Sequence, residues 1–335
     1  MTPRAGPGAD APARTIFFGS GVYAVSILEA LVGRTGVVIV GVVTPPDLPS
    51  GRRAALTPVP VAVAARRYGL PHLQVARVRA PEAIESIRAF EPDLGVLADF
   101  GQLIPAAIID LPRLGILNVH PSLLPRHRGA TPIPATILAG DRVGGVAIMQ
   151  MDAGLDTGPV IADRSWALDG TEDAPGLEAR AAAEGASLLA EVLPAVLAGR
   201  TVPQPQDAAR ATLTKTLRRA DGRLDPRRGA ADLERQVRAY RPWPGSFVEI
   251  SGDRLVIHDA GVEPGQPGDR PGSLMADGDG LVLVTADGRL RLLDVQPSGG
   301  RRMGIAAFRR GHPAIVGSLV DATGTETRLA PDVLR

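Results

Sequence analysis

The feature that most constrains the fold is an alternation of short β-rich runs with helix-length segments, which continues to about residue 170. Parallel strands require crossover connections that are usually helices, so the alternation predicts an α/β domain with a parallel sheet and helices on its faces. The predicted strands are 15–18, 37–43, 94–98, 116–120 and 146–151. The predicted helices are 23–31, 59–68, 81–90, 133–138 and 177–197.

The first predicted strand runs into Phe17-Phe18-Gly19-Ser20-Gly21. A glycine-rich turn at this place can mark a dinucleotide-binding loop, but the third glycine of that fingerprint is absent. We therefore interpret the segment as a tight two-glycine turn.

The pattern changes beyond residue 200. A semi-extended Pro/Gln segment, Val202-Pro-Gln-Pro-Gln-Asp207, precedes short strands at 246–250, 254–258, 281–285 and 289–295, which are separated by Gly/Asp/Pro turns. Close spacing of this kind predicts a small antiparallel barrel or sandwich. We expect a disordered N-terminus at 1–13, a catalytic domain at 14–200, a linker at 201–211 and a second domain at 212–335.

Charge and composition exclude several classes of protein. The 37 basic and 36 acidic residues give a net charge of +1, so only local clusters can indicate a polyanionic partner. The absence of cysteine excludes disulfides, thiol nucleophiles and Cys-ligated zinc. We find neither a signal peptide nor an apolar run long enough to span a bilayer, and we expect a cytoplasmic protein with no membrane partner.

The most informative segment is Leu117-Asn-Val-His-Pro-Ser-Leu-Leu-Pro-Arg-His-Arg-Gly129. Asn118 and His120 stand two apart on a predicted strand, and therefore on one face, near the carboxyl end where open parallel sheets bind ligands. An amide that can donate to an oxyanion beside an imidazole suits acyl transfer. A carboxylate that would stabilise the imidazolium is available in the second block, where Asp156 follows a glycine-containing loop.

Each of these residues also has an ordinary structural interpretation. A single histidine at a strand end is more often structural than catalytic, Asn118 suits a turn, and Asp152 and Asp156 suit the turns of a hairpin. Spacing alone leaves both interpretations open.

Residues 118–133 together with 145–158 closely resemble the folate-dependent formyltransferases, which share the Asn-x-His pair and the later aspartate. Three further segments resemble the members of that family that formylate tRNA. These are an inserted loop at 43–60 and C-terminal signatures at 240–247 and 295–303. The likeness covers roughly residues 15 to 313 in matching order.

The resemblance implies a Rossmann-like formyltransferase domain with a parallel sheet, followed by a small OB-like β-barrel domain. It implies transfer of a formyl group from 10-formyltetrahydrofolate to the α-amine of methionine on initiator tRNA, without a metal. Asn118 and protonated His120 would stabilise the oxyanion, and Asp156 would support His120 and relay a proton. The folate-binding residues that it implies are Ser122, Leu123, Leu124, Pro125, Phe100 and Leu103, although Phe100 and the two leucines also suit ordinary packing.

Basic residues are expected to hold the tRNA. The resemblance and the local charge indicate Arg52, Arg53, Lys215 and Arg218. The inserted loop is poorer in basic side chains than the family pattern, which commonly has them at Leu48, Ala54 and Ala55. By charge alone, the arginines beside the linker suit either phosphate contacts or a solvated face.

Two other functions remain open at this stage. The same three chemical residues would serve formylation of a small amine such as an amino sugar. A catalytically silent RNA-binding protein on this scaffold is disfavoured because all three residues are present. We expect a monomer.

Overall fold

A computed structural model describes residues 11–50 and 55–321 of the 335-residue chain. The described residues form two compact units. The first contains residues up to Thr136 together with 141–169 and 176–216, and the second contains 137–140, 170–175 and the residues from Leu217 onward. The domain limits at 200 and 212 stay a prediction, and the segment expected to be a linker clusters with the first unit.

Strands and helices alternate along the first part of the chain, as predicted. The helices Pro60–Arg67 and Pro81–Arg88 each begin with a proline, which suits the first helical position because the N–H that proline lacks has no partner there. The elements are β1 (Ala13–Gly19), α1 (Val22–Glu29), β2 (Val37–Thr44), β3 (Leu48–Ser50), β4 (Ala55–Thr57), α2 (Pro60–Arg67), β5 (His72–Gln74), α3 (Pro81–Arg88), β6 (Leu94–Ala98), α4 (Ala106–Ile109), β7 (Ile116–His120), β8 (Arg128–Gly129), α5 (Pro132–Leu138), β9 (Val143–Gln150), β10 (Val160–Ala167), α6 (Ala174–Leu197) and β11 (Leu213–Thr214).

Within the described residues, the first unit is built on a seven-stranded sheet of order β10-β9-β7-β6-β1-β2-β5. Strands β5, β2, β1, β6 and β7 pair in parallel, which confirms the α/β prediction. Strand β9 was expected in the parallel sheet, but it runs antiparallel to β7. The reason is that the chain after β7 returns from the carboxyl edge without crossing the sheet, so that His120 pairs with Ala147 in the middle of β9 and Leu117 with Gln150 at its end.

The two faces of β7 are covered by different helices. On one face Ile116 packs in a core with Ile87 of α3 and Ile108 of α4. On the other face α6 approaches closely, since a Cβ at Gly185 would lie 3.0 Å from Val119 Cγ1. Because side chains alternate along a strand, Asn118 and His120 share the face of Ile116.

The second unit is antiparallel. Its sheet has the order β12-β13-β16-β15-β14, with β17 paired to β16, and strands lie at all four predicted positions. Leu233 of α7 and Phe308 of α8 pack with Leu283 and Leu292 of the sheet, which gives the expected small barrel-like domain its own core. The elements are α7 (Ala230–Ala239), β12 (Ser246–Ile250), β13 (Asp253–Glu263), β14 (Leu274–Asp277), β15 (Gly280–Val284), β16 (Arg289–Pro297), β17 (Met303–Gly304) and α8 (Ile305–Gly311).

The inserted loop is described only in part. Strands β3 and β4 pair antiparallel, whereas Arg52 and Arg53, two of the predicted tRNA-binding residues, lie outside the described residues. In the described part of the chain, none of the helices combines the length and apolar character that crossing a bilayer demands.

Candidate active site

Asn118 and His120 stand at alternate positions of β7, and both are almost fully buried, with 6% and 5% of their surfaces exposed. A buried amide and a buried imidazole require hydrogen-bond partners. Asn118 finds its partner in Asp156, 38 residues further along the chain, and His120 finds its partner in the His127 carbonyl, seven residues further on. The two side chains share a face because successive side chains of a strand alternate between its two faces.

Asp156 comes to the same place from the loop between β9 and β10. Its Oδ1 accepts a hydrogen bond from Asn118 Nδ2 at 3.2 Å. Its Oδ2 accepts one from the Gly129 N–H at 2.7 Å and lies 3.8 Å from His120 Nδ1. The structure thus brings together the three residues that the sequence singled out, with a backbone N–H as a fourth group.

The loop that carries Asp156 is held by its own side chains. Asp152 Oδ1 accepts hydrogen bonds from the Gly154 N–H at 3.0 Å and from the Thr157 hydroxyl at 2.7 Å. Asp156 itself adopts a left-handed conformation, with φ of 52°. That conformation is disfavoured for a residue with a Cβ, so surrounding contacts must stabilise it.

The backbone carbonyl of His127 determines which nitrogen of His120 carries the permanent proton. His120 Nε2 lies 3.1 Å from the His127 oxygen. A carbonyl oxygen only accepts hydrogen bonds, so Nε2 must be the donor. In the neutral ring, Nδ1 is therefore the nitrogen without a hydrogen, and it faces Asp156.

His127 is itself anchored. It has a φ of 57°, its N–H donates to the Thr212 hydroxyl at 2.8 Å, and its Nε2 lies 2.7 Å from Asp141 Oδ2. Burial acts to raise the pKa of the Asp141 carboxyl, but hydrogen bonds from Arg126 and His127 outweigh it and hold that pKa below its usual value. These contacts fix the carbonyl to which His120 donates.

We expect Asp141→Asn to lower the free energy of unfolding by about 1.5–3 kcal/mol at pH 7, the usual range for hydrogen bonds to a charged group. Because the folded pKa of Asp141 is depressed, its contribution is present above the unfolded pKa of about 3.9 and is lost as the pH falls through the folded pKa. Urea denaturation at pH 7 and at lower pH should show the difference from wild type shrinking. Asp163→Asn, at an exposed position of β10, is the control, and a pH-independent difference would contradict the assignment.

The residues predicted to bind folate lie in two loops that leave adjacent strands. Strands β6 and β7 are neighbours, with Leu97 beside Asn118. The loop after β6 holds Phe100, which is buried against Phe18 with ring centroids 5.6 Å apart, and Leu103, which is 61% exposed. Phe100 is thus a core side chain, and Leu103 is the side chain of this pair that is open to a ligand.

The loop after β7 holds the other four predicted folate residues. The Ser122 hydroxyl is buried and donates to the Arg126 carbonyl at 2.7 Å. Leu123 packs on β9, since a Cβ at Gly145 would lie 2.3 Å from its Cδ2. Leu124 and Pro125 are half-buried. Their part in folate binding stays a prediction.

The remaining basic residues are only partly available for phosphate. Lys215 and Arg218 are exposed, and their role in binding tRNA stays a prediction. Four other arginines of the second unit contact groups of that unit. Those contacts are Arg223 with Glu249 at 2.9 Å, Arg227 with Asp225 at 2.8 Å, Arg302 with Asp294 at 2.6 Å, and Arg309 with the carbonyls of Gly278 and Gly280 at 2.6 Å each.

The sequence interpretation missed three groups that build the site. These are the Gly129 N–H, the His127 carbonyl and the Gln206 side chain, which donates to the carbonyls of Asp156 and Gly158. Backbone groups leave no signal in a side-chain pattern. Gln206 lies in the Pro/Gln segment that was interpreted as a linker.

Comparison with known proteins agrees with this fold. The family model described as formyl transferase matches residues 13–193, and the model described as formyl transferase, C-terminal domain, matches residues 216–313. The chain belongs to the formyl transferase family.

Two relatives extend the similarity to nearly full length, and both are named methionyl-tRNA formyltransferase. The protein from Chloroflexus aggregans is 45% identical over 301 residues, which is 89% of this chain and 97% of the relative. The protein from Myxococcus xanthus is 41% identical over 306 residues, which is 91% of this chain and 97% of the relative.

A solved structure shares the fold at low identity. An N-formyltransferase from Helicobacter canadensis, crystallised with folinic acid and dTDP-3-aminofucose, is 13% identical, with a TM-score of 0.61. The match covers 84% of this chain and 98% of that one.

Proposed function

We propose that this protein is a methionyl-tRNA formyltransferase, which transfers a formyl group from 10-formyltetrahydrofolate to the α-amine of methionine on initiator tRNA. The observation that carries the proposal is the meeting of Asn118, His120 and Asp156 around one point on the face of β7. Similarity over about nine tenths of the chain to proteins of that name supports the choice of acceptor.

The loops around this point suit a flat co-substrate with an apolar ring. Leu103 after β6 is 61% exposed, and Leu155, next to Asp156, is 47% exposed. Ligand clefts are lined mostly by apolar side chains with a few polar groups, and these two leucines can supply apolar lining. Ser122, Leu123, Leu124, Pro125, Phe100 and Leu103 are the residues that we propose to form the folate side.

Bound 10-formyltetrahydrofolate supplies an activated formyl group. Asn118 has two amide hydrogens, of which one is donated to Asp156 and the second is available for the oxygen that becomes negative. His120, protonated on Nδ1, stabilises the same oxygen. The 3.8 Å from Nδ1 to Asp156 Oδ2 exceeds a hydrogen bond, so Nδ1–H is left to donate to the substrate while the carboxylate still stabilises the imidazolium.

Asp156 also serves the proton balance of the reaction. The attacking amine becomes positively charged as it bonds to the formyl carbon, and a carboxylate beside it can accept the proton and pass it to the leaving nitrogen. The Gly129 N–H holds Oδ2 in place for this role. This series of reaction steps requires no covalent enzyme intermediate.

Several further properties belong to the same proposal. Arg52, Arg53, Lys215 and Arg218 would contact the phosphates of the tRNA, and the enzyme would act as a cytoplasmic monomer. Light scattering on the purified protein tests the oligomeric state.

An assay with 10-formyltetrahydrofolate and a panel of acceptors tests the function. We expect formylation of methionyl initiator tRNA, and rates at least about tenfold lower with other aminoacyl-tRNAs and with free methionine, because a recognised tRNA body contributes binding energy that a free amino acid cannot supply. An amino-sugar nucleotide is the control acceptor. Activity with that sugar and none with the charged tRNA would overturn the proposal.

A further inference from the structure

The segment between the two predicted domains is built into the catalytic unit. Gln204 and Val160 exchange backbone hydrogen bonds of 2.7 and 2.8 Å, beside the loop that carries Asp156. Further along, β11 pairs in parallel with β8, the strand that contains Gly129. We call residues 204–214 the strap. The strap therefore passes both loops that contribute to the site.

One side chain of the strap connects these two loops directly. Gln206 Nε2 donates to the carbonyl of Asp156 at 2.9 Å and to that of Gly158 at 2.7 Å. Gln206 Oε1 accepts from Arg128 Nε at 3.1 Å and from Arg128 Nη2 at 2.9 Å. Arg128 is 7% exposed and precedes Gly129, whose N–H holds Asp156 Oδ2. Both amide hydrogens and the oxygen of Gln206 are thus used in the connection.

We infer that Gln206 is a positioning residue for catalysis, which holds Asp156 in its left-handed conformation so that the carboxylate stays between Asn118, the Gly129 N–H and His120. The inference rests on the proposed function, because it assigns Asp156 a role in formyl transfer. The physical basis is that the left-handed conformation is disfavoured for an aspartate, so contacts must stabilise it. Gln206 donates a hydrogen bond to the backbone carbonyl of Asp156 itself. A shift of about 1 Å at a catalytic group can lower a rate about 100-fold.

The first test exchanges amide for carboxylate at constant shape. Gln206→Glu keeps an acceptor for Arg128 but replaces the two donated hydrogens by an oxygen that repels the two carbonyls. We expect kcat to fall about 10- to 100-fold, with KM for both substrates changed less than about threefold. The matched control is Gln204→Glu, on the same strap, whose side chain donates to the Val202 carbonyl and is exposed. It should keep wild-type kcat.

A double variant separates positioning from a purely structural role. If Gln206 acts through Asp156, then Gln206→Glu should lower kcat less than about twofold in the Asp156→Asn background, because the group that it positions is already lost. An equal loss in both backgrounds would overturn the inference. So would wild-type kcat in the single variant.

A measurement without substrate keeps the inference independent of the proposed function. Amide hydrogen exchange of Gly129, followed by NMR, reports its hydrogen bond to Asp156 Oδ2. We expect exchange at least about tenfold faster in Gln206→Glu and unchanged in Gln204→Glu. Unchanged exchange in both would overturn the inference, whereas an inactive wild type with methionyl-tRNA would overturn only the proposed function.

Discussion

His120→Ala is expected to lower kcat for formyl transfer by about 10²–10⁴-fold, the usual cost of removing a proton-transfer group. The variant loses both ring nitrogens: Nδ1, which faces Asp156, and Nε2, which donates to the His127 carbonyl. Asp156→Asn should cost a similar factor, because the neutral amide can neither accept the proton of the amine nor stabilise the imidazolium. Steady-state rates with formyl donor and charged tRNA measure both effects.

Two controls accompany this prediction. One removes a histidine elsewhere in the chain, and the other is a double variant that tests whether His120 and Asp156 act together. His258→Ala removes a ring that contacts Gln296 in the C-terminal sheet and should leave kcat near wild type. The double variant of His120 and Asp156 should be within about threefold of the weaker single variant, since groups that act together are non-additive. A wild-type rate for either single variant would refute the mechanism.

Gly158→Ala is expected to lower the free energy of unfolding by about 2–3 kcal/mol and to lower kcat as well. A Cβ at this position would lie 1.8 Å from the Gln150 carbonyl oxygen, and the neck of the hairpin is closed there by a hydrogen bond from the Gln150 N–H to the Pro159 carbonyl. Relief requires the backbone of the Asp156 loop to move. Urea denaturation and steady-state kinetics on the same preparation measure the two effects.

The matched control is a glycine with room for a methyl group. Gly261 of β13 has nothing within 4 Å of an added Cβ and no positive φ. Gly261→Ala should therefore change the free energy of unfolding by less than about 0.5 kcal/mol. Equal stability of the Gly158 and Gly261 variants would show that the hairpin neck is looser than the structure indicates.

The strand-level features could be predicted from the sequence because they depend on local periodicity. The β7 run Ile116–His120 was predicted at its observed bounds, and the repeat of two along a strand placed Asn118 and His120 on one face. The four C-terminal strands were found for the same reason. The direction of β9 was not, because a strand pattern reads the same in parallel and antiparallel pairings.

That direction matters for the site. In an open parallel sheet, ligand-binding groups follow the carboxyl ends of strands. Gln150 at the end of β9 lies opposite Leu117, so the rule does not bring Asp156 to the site. The returning hairpin loop does, and its course depends on Asp152 and on Gln206, which is 50 residues away in sequence from Asp156.

By itself the sequence determined the α/β architecture, the antiparallel second domain and the three side chains suited to acyl transfer, since each depends on local periodicity or residue chemistry. Only the tertiary structure decided that Asp156 Oδ2 lies between the Gly129 N–H and His120, and that the His127 carbonyl holds the proton on Nε2. It also showed that the segment expected to be a linker clusters with the first unit. These features arise from backbone groups and long-range contacts, whose geometry is set only when the whole unit packs.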